Sequence, residues 1–287
     1  MLPFFVSSTG VTCSILITVI NTHLIYKFRH KDHDMALFYY RFHLDVLVGI
    51  VTIAYLGHLI TAYTLPHVFA DSRIMVLWFG LASSNLSMAR MIFALFISAD
   101  RVAAAFLPIK YRVYRSLVPT LPIFVFSLLT GLLQDYIFFY CCDFIIFIPE
   151  SCLALGCVMN ACFKRFWSTY QTVVLSVTML LSIAFCARLF WWSKSTRHLN
   201  HANRLAILDA ATTLLFQLIP PFCVNLWPDF VLFDFQFAGP FNLVGKLVGS
   251  TIEAIVMLRV LRRADSHPEP VFSHVNHSHS ETRPNKR

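Results

Sequence analysis

The chain has 287 residues, 57% of them hydrophobic and 13% charged, with a mean hydropathy of +0.65 and a formal net charge of +8. Soluble domains carry roughly 25% charged and about 45–50% apolar residues, so this composition excludes a water-soluble globular domain, whose exterior must stay hydrated. Nine glycines and 13 prolines against 28 phenylalanines exclude a disordered or collagen-like chain as well.

A hydrocarbon core about 30 Å thick needs about 20 apolar residues of helix. Seven stretches meet that length: 4–26, 36–61, 74–97, 118–140, 170–192, 205–227 and 235–258. They are too long, and too uniformly apolar, for the alternating strands of a membrane barrel. The expected fold is therefore an all-α membrane protein, a seven-transmembrane helix bundle over residues 1–264, since helices satisfy their own backbone groups in lipid. Residues 265–287, polar and containing Pro268, Pro270 and Pro284, read as a disordered tail. The first stretch lacks a basic leader and a small-residue cleavage site, so it reads as a span, not a signal peptide. So few residues precede it that detection is expected between the helices or through the loops.

The 23 basic residues orient the bundle. Lys27, Arg29 and Lys31 follow span one. Arg101, Lys110, Arg112 and Arg115 follow span three, and Lys194, Arg197 and Arg204 follow span five, with Arg188 at that span's end. The tail adds Arg259, Arg262, Arg263, Arg283, Lys286 and Arg287, for 17 on one side. The opposite loops hold Arg73, Lys164 and Arg165, and Arg41, Arg90 and Lys246 lie within spans. The positive-inside rule then puts the N-terminus outside and the C-terminus in the cytosol. The charge excess is thus a topology signal, with no nucleic-acid partner implied.

Five of the eight cysteines, Cys141, Cys142, Cys152, Cys157 and Cys162, cluster in the loop between spans four and five, which this orientation places outside. A cluster facing an oxidising compartment points to disulfides, with the pairing open and one thiol left over. Their spacing fits no common zinc site and no loop histidine accompanies them, so no metal or other cofactor is expected. Cys13, Cys186 and Cys223 lie within spans and read as small hydrophobes.

Span three closes with Asp100-Arg101-Val102, then Pro108 and Tyr111. This resembles the D-R-Y-x5-P-L-x-Y signature at the end of the third helix of rhodopsin-like G-protein-coupled receptors. The usual cysteine at the outer end of helix three is absent near Val76, and Pro240 is followed by Phe-Asn-Leu in place of the helix-seven N-P-x-x-Y. Both departures suit nematode serpentine chemoreceptors. The stretch Tyr39-Tyr40-Arg41-Phe42-His43-Leu44-Asp45 and the loop Leu155-Gly156-Cys157-Val158-Met159-Asn160-Ala161-Cys162-Phe163 look like their class bc (beta-like) members over residues 1–265.

The resemblance implies a chemosensory receptor of the plasma membrane, in a sensory-neuron cilium, that binds a small ligand and activates a heterotrimeric G protein, alone or as a homo- or hetero-oligomer. It assigns Asp100, Arg101, Pro108 and Tyr111 to coupling and switching. Independently of family, an arginine at a helix's cytosolic end complements the dipole, and its planar donor fork suits backbone carbonyls of a partner. A bare helix end is the plainer account of the same dipeptide.

Ionisable groups at membrane depth are costly and usually paired. Asp45 lies about ten residues into span two, and Arg90 lies about 16 Å deeper than Arg101 along span three. The two are level, which predicts an Asp45–Arg90 ion pair where the resemblance would place sodium. Arg41, one turn from Asp45, is the second candidate, and a static pair is the competing account. Lys246 and Glu253 stand two turns apart on one face of span seven. Lys246 invites a retinal Schiff-base reading, against which stands Phe79 at the counterion position.

Pro220 and Pro221 interrupt span six and suit a hinge, or an ordinary kink. Ser84, Asn85, Gln134, Tyr170, Gln171 and Asn225 are the candidate ligand contacts, with interhelical hydrogen bonding as the alternative. The tail histidines His274, His277 and His279 read as solvated. No phosphate loop, H-E-x-x-H or G-x-S-x-G is present, so the expectation is a receptor and not an enzyme. A ligand-gated channel or transporter, or a non-signalling subunit of a hetero-oligomer, are the alternatives.

Overall fold

A computed structural model describes residues 2–28, 36–115, 118–146, 148, 152, 154–193, 207–208, 211–219 and 240–266. Among these, all regular structure is helical. The helices are α1 (Leu2–Phe28), α2 (Ala36–Thr64), α3 (Pro66–Asp71), α4 (Ile74–Phe106), α5 (Pro108–Arg115), α6 (Thr120–Tyr136), α7 (Leu155–Val158), α8 (Ala161–Ser193) and α9 (Phe241–Ser266). A π-helical turn, Ile137–Cys141, prolongs α6, and a second occupies Thr213–Leu218.

Among the described residues four stretches are long and apolar enough to cross a membrane: Leu2–Lys27, Ala36–Thr64, Thr120–Cys141 and Ala161–Arg188. The 33-residue α4 and the 26-residue α9 are long enough too, but carry the polar cargo. Ser83, Ser84, Asn85 and Arg90 dilute α4, and Lys246, Glu253 and Arg259 dilute α9. Of the expected span 205–227, only 207–208 and 211–219 fall within the described residues, and 235–239 lie outside them.

Helix α4 is the hub, packing against α2, α6 and α8, while α1 packs between α2 and α9. Lipid is as apolar as a leucine side chain, so helices associate through close packing at small residues and through polar contacts. Gly131 of α6 shows this: a Cβ there would lie 2.7 Å from the Asn85 carbonyl oxygen, so only glycine lets the two backbones approach. On the outward side of α6, Leu121, Val125, Leu129, Leu132 and Leu133 are exposed, the surface expected of a helix facing hydrocarbon. The interior is filled by Phe38 and Phe42 of α2, Phe93 of α4 and Met257 of α9.

Several boundaries differ from the hydropathy reading. Helix α8 begins at Ala161, nine residues before the expected start at 170. The cause is local: the Asn160 side-chain oxygen accepts a hydrogen bond from the Phe163 N–H at 2.9 Å, an N-cap that apolarity does not register. The Asn160 amide also donates to the Cys142 carbonyl at 2.7 Å, tying the helix start to the end of the π-helical turn. Pro66 and Pro108 open the short helices α3 and α5, where a missing N–H costs nothing. Helix α9 runs to Ser266, two residues into the expected tail, and 267–287 lie outside the described residues.

Candidate functional site

Three helices bring four charges together in the bundle interior. Arg90 of α4 donates from Nε to Asp45 Oδ1 at 2.6 Å, joining α4 to α2. Glu253 of α9 completes the group. Its Oε1 lies 2.5 Å from Arg41 Nη2, and its Oε2 accepts from Arg90 Nη2 at 3.4 Å. Arg41 Nε lies 3.8 Å from Asp45 Oδ2, one helical turn away. Two carboxylates and two guanidiniums make a neutral set. That matters here, because Arg41 and Glu253 are only 2% and 3% exposed and each alone would be a costly buried charge. The sequence reading had Asp45, Arg90 and Arg41. It missed Glu253 as their partner, although Glu253 had already stood out as a charge within span seven.

At the far end of α4 the chain turns on Pro108, which cannot continue the helix and instead starts α5. Tyr111 and Arg115 are one turn apart on α5, so both fold back on the same carboxylate. The Tyr111 hydroxyl donates to Asp100 Oδ2 at 3.0 Å, and Arg115 Nε pairs with Asp100 Oδ1 at 2.9 Å. Arg101 Nη2 is further away, 3.7 Å from Oδ2. Arg101 is 6% exposed, with its guanidinium 5.4 Å from the centre of the Phe38 ring of α2. Burial and the neighbouring Asp100 carboxylate push the Tyr111 hydroxyl's pKa up, so it remains a proton donor at neutral pH. Arg115 was counted among the basic residues of its loop but not as the main partner of Asp100. A turn at Pro108 followed by a helical i,i+4 pair was the signal that could have found it.

Nearer the other end of α4 lies a polar cluster. Gln134 Nε2 and Trp167 Nε1 both donate to the Ser84 hydroxyl, at 2.6 Å and 3.2 Å. Asn85 Nδ2 donates to Asp135 Oδ2 at 2.7 Å. Thus Ser84, Asn85 and Gln134 bond across α4, α6 and α8. Buried Gln134 Oε1 and Gln171 Nε2 make no hydrogen bond. Tyr170 packs on Phe166. Lys246 of α9 holds its ammonium 5.6 Å from the Trp167 ring centre. A separate apolar cleft of about 290 Å³ opens between α1, α9 and the second π-helical turn, lined by Phe5, Val6, Thr9, Phe216, Val244 and Gly245, among others. Ser84, Asn85, Gln134, Tyr170 and Gln171 do not line it. Pro220, Pro221 and Asn225 lie outside the described residues.

Beyond α6, Cys142 is bonded to Cys162 and Cys152 to Cys157, and Cys141 is a free, exposed thiol. The first bridge fixes the start of α8 against the end of the α6 extension, and the second staples the turn into α7. Among the described residues no group of three or more histidine, cysteine or acidic side chains is arranged for a metal.

A family model described as serpentine type 7TM GPCR chemoreceptor Srbc matches residues 1–265. The chain belongs to this family. No curated protein matches it. As a serpentine chemoreceptor it is a membrane protein of a receptor family, and its apolar helices fit that class. In this chemoreceptor α4 links all three polar features. The Ser84 cluster, the Arg90 ion pairs and the Asp100–Arg101 end follow one another along a single helix.

Proposed function

We propose that the chain is a seven-span, G-protein-coupled chemosensory receptor of the plasma membrane, in a sensory-neuron cilium, with its N-terminus outside and its C-terminus in the cytosol. A small extracellular ligand binds between the helices near Ser84, Asn85, Gln134, Tyr170, Gln171 and Asn225. It favours a conformation in which the inner ends of spans three and six part, with Pro220 and Pro221 as the hinge. The cytosolic face, with Arg101 at its centre, then engages a heterotrimeric G protein. The ligand shifts this equilibrium only by its differential affinity for the two states.

The observation that carries this reading is the closed cap over Arg101. Its guanidinium is buried against Phe38 while Asp100 is held by Tyr111 and Arg115 of α5. A buried donor fork at a helix end, under contacts made by a separate short helix, is what a resting coupling site requires. The charge network of Arg41, Asp45, Arg90 and Glu253 supports it, because it locks spans two, three and seven together at one level.

Expression in cells, with ligand-evoked GTP exchange measured beside membrane current, tests the proposal. Exchange without current is the expected result. Current without exchange identifies a channel, and neither response, at normal surface delivery, identifies a silent subunit of a hetero-oligomer. Both overturn the receptor reading.

A further inference from the structure

Lys246 is an ionisable group that the network below it does not use. The four-residue cluster is already neutral, and Glu253, the nearer of the two carboxylates on Lys246's own helix, is seven residues away, about 10 Å along the axis, and engaged by two arginines. Among the described residues no carboxylate lies within ion-pair distance of the Lys246 ammonium. Its ammonium lies against the Trp167 ring, and from α4 it feels the like charge of Arg90. A cation at membrane depth with a neighbouring cation and no counter-charge among the described residues leaves the site electropositive and in want of an anion.

A second observation points to the same place. Gln171 stands one turn beyond Trp167 on the same face of α8, is 3% exposed, and its side-chain N–H donor is unmatched. A buried amide donor without an acceptor costs free energy unless something is brought to it. The contact with Trp167 puts Lys246 beside this face of α8, and Gln171 follows one turn, about 6 Å, further along the axis. The Trp167 indole N–H is committed to Ser84, which leaves its ring face as apolar surface.

We infer that Lys246 and Gln171, with the Trp167 ring as a wall, form an anion subsite that takes the carboxylate of a small organic acid with an apolar body. The inference rests on the small-molecule receptor reading and names its ligand class. The ammonium supplies the charge, the Gln171 amide a directed hydrogen bond, and the indole face the contact for the body of the acid.

The test uses the purified full-length receptor in lipid nanodiscs, with hexanoate and benzoate as probes and their methyl esters as uncharged controls. Thermal unfolding is followed in chloride and in chloride-free buffer. The acids are expected to raise Tm in a dose-dependent way while the esters do not. Lys246→Gln should raise the half-saturating concentration about tenfold or more, and Lys246→Arg should stay within about threefold of wild type. Gln171→Leu retains every charge and should weaken binding by about three- to tenfold, which keeps the test intact should Lys246→Gln not fold.

The inference is overturned if neither acid shifts Tm, if wild type and Lys246→Gln shift alike, or if chloride alone gives the whole effect. GTP exchange separates this failure from that of the receptor reading. Acid binding without exchange overturns only the receptor. Exchange evoked by the esters and not the acids overturns only the subsite.

Discussion

Arg115 Nε lies 2.9 Å from Asp100 Oδ1, closer than Arg101, whose Nη2 is 3.7 Å from the same carboxylate. The acid of the Asp-Arg pair is therefore held by α5, and Arg101 rests on Phe38. Control over the end of α4 passes to a helix of eight residues that begins at Pro108.

Asp100→Asn should therefore raise basal signalling. The neutral amide keeps the shape of the carboxylate but loses the charge that draws in Arg115. Basal GTP exchange is expected to rise severalfold at equal surface expression. Arg115→Gln should give a change of the same sign, and unchanged exchange in both would remove α5 from the switch.

Tyr111→Phe removes the hydroxyl that donates to Asp100 and that also meets Arg115. A loss of about 1.5–3 kcal/mol from the resting state is expected, the range for a hydrogen bond to a charged group. The variant should fall between wild type and Asp100→Asn in basal exchange, an order that a dose of G protein in a nucleotide-exchange assay reads directly.

Glu253→Gln takes from buried Arg41 and Arg90 a carboxylate that both engage. Breaking a buried ion pair by removing one partner costs about 3–5 kcal/mol. The expected outcome is a large fall in Tm of the purified receptor and loss of surface expression. The double variant Glu253→Gln with Arg41→Gln should recover part of that loss, because it restores neutrality. A double variant as unstable as the sum of the singles would show that the two do not interact.

Cys142→Ser opens the bridge to Cys162 that closes a separation of 20 residues, and about 2–4 kcal/mol of stability should go with it. The free, exposed Cys141 offers a test of orientation. A membrane-impermeant maleimide added to intact cells should label it, and Cys141→Ser should abolish that labelling. Labelling that requires permeabilised cells would invert the topology.

Much of this protein was legible in order and composition. The apolar stretches gave the positions of α1, α2 and α6 to within a few residues, because hydrocarbon thickness fixes a length and length is written in the chain. Asp45 and Arg90 could be placed level with each other for a similar reason, since the helical rise turns sequence spacing into depth. What depth does not contain is azimuth. Whether Glu253 faces α2 and α4 or lipid depends on how α9 is rotated against its neighbours, and that is settled by packing over its whole length. The same holds for Arg115, which reaches Asp100 only because the chain turns at Pro108, and for Asn160, whose capping of α8 overrides the polar residues that obscured the helix start. Sequence alone determined the class of solvent, the helical nature of the chain and the level of its buried charges, since each follows from local composition and a fixed rise per residue. Tertiary structure decided which charges meet, which cysteines pair and that Lys246 meets no carboxylate among the described residues, because those depend on directions around helix axes that no single segment encodes.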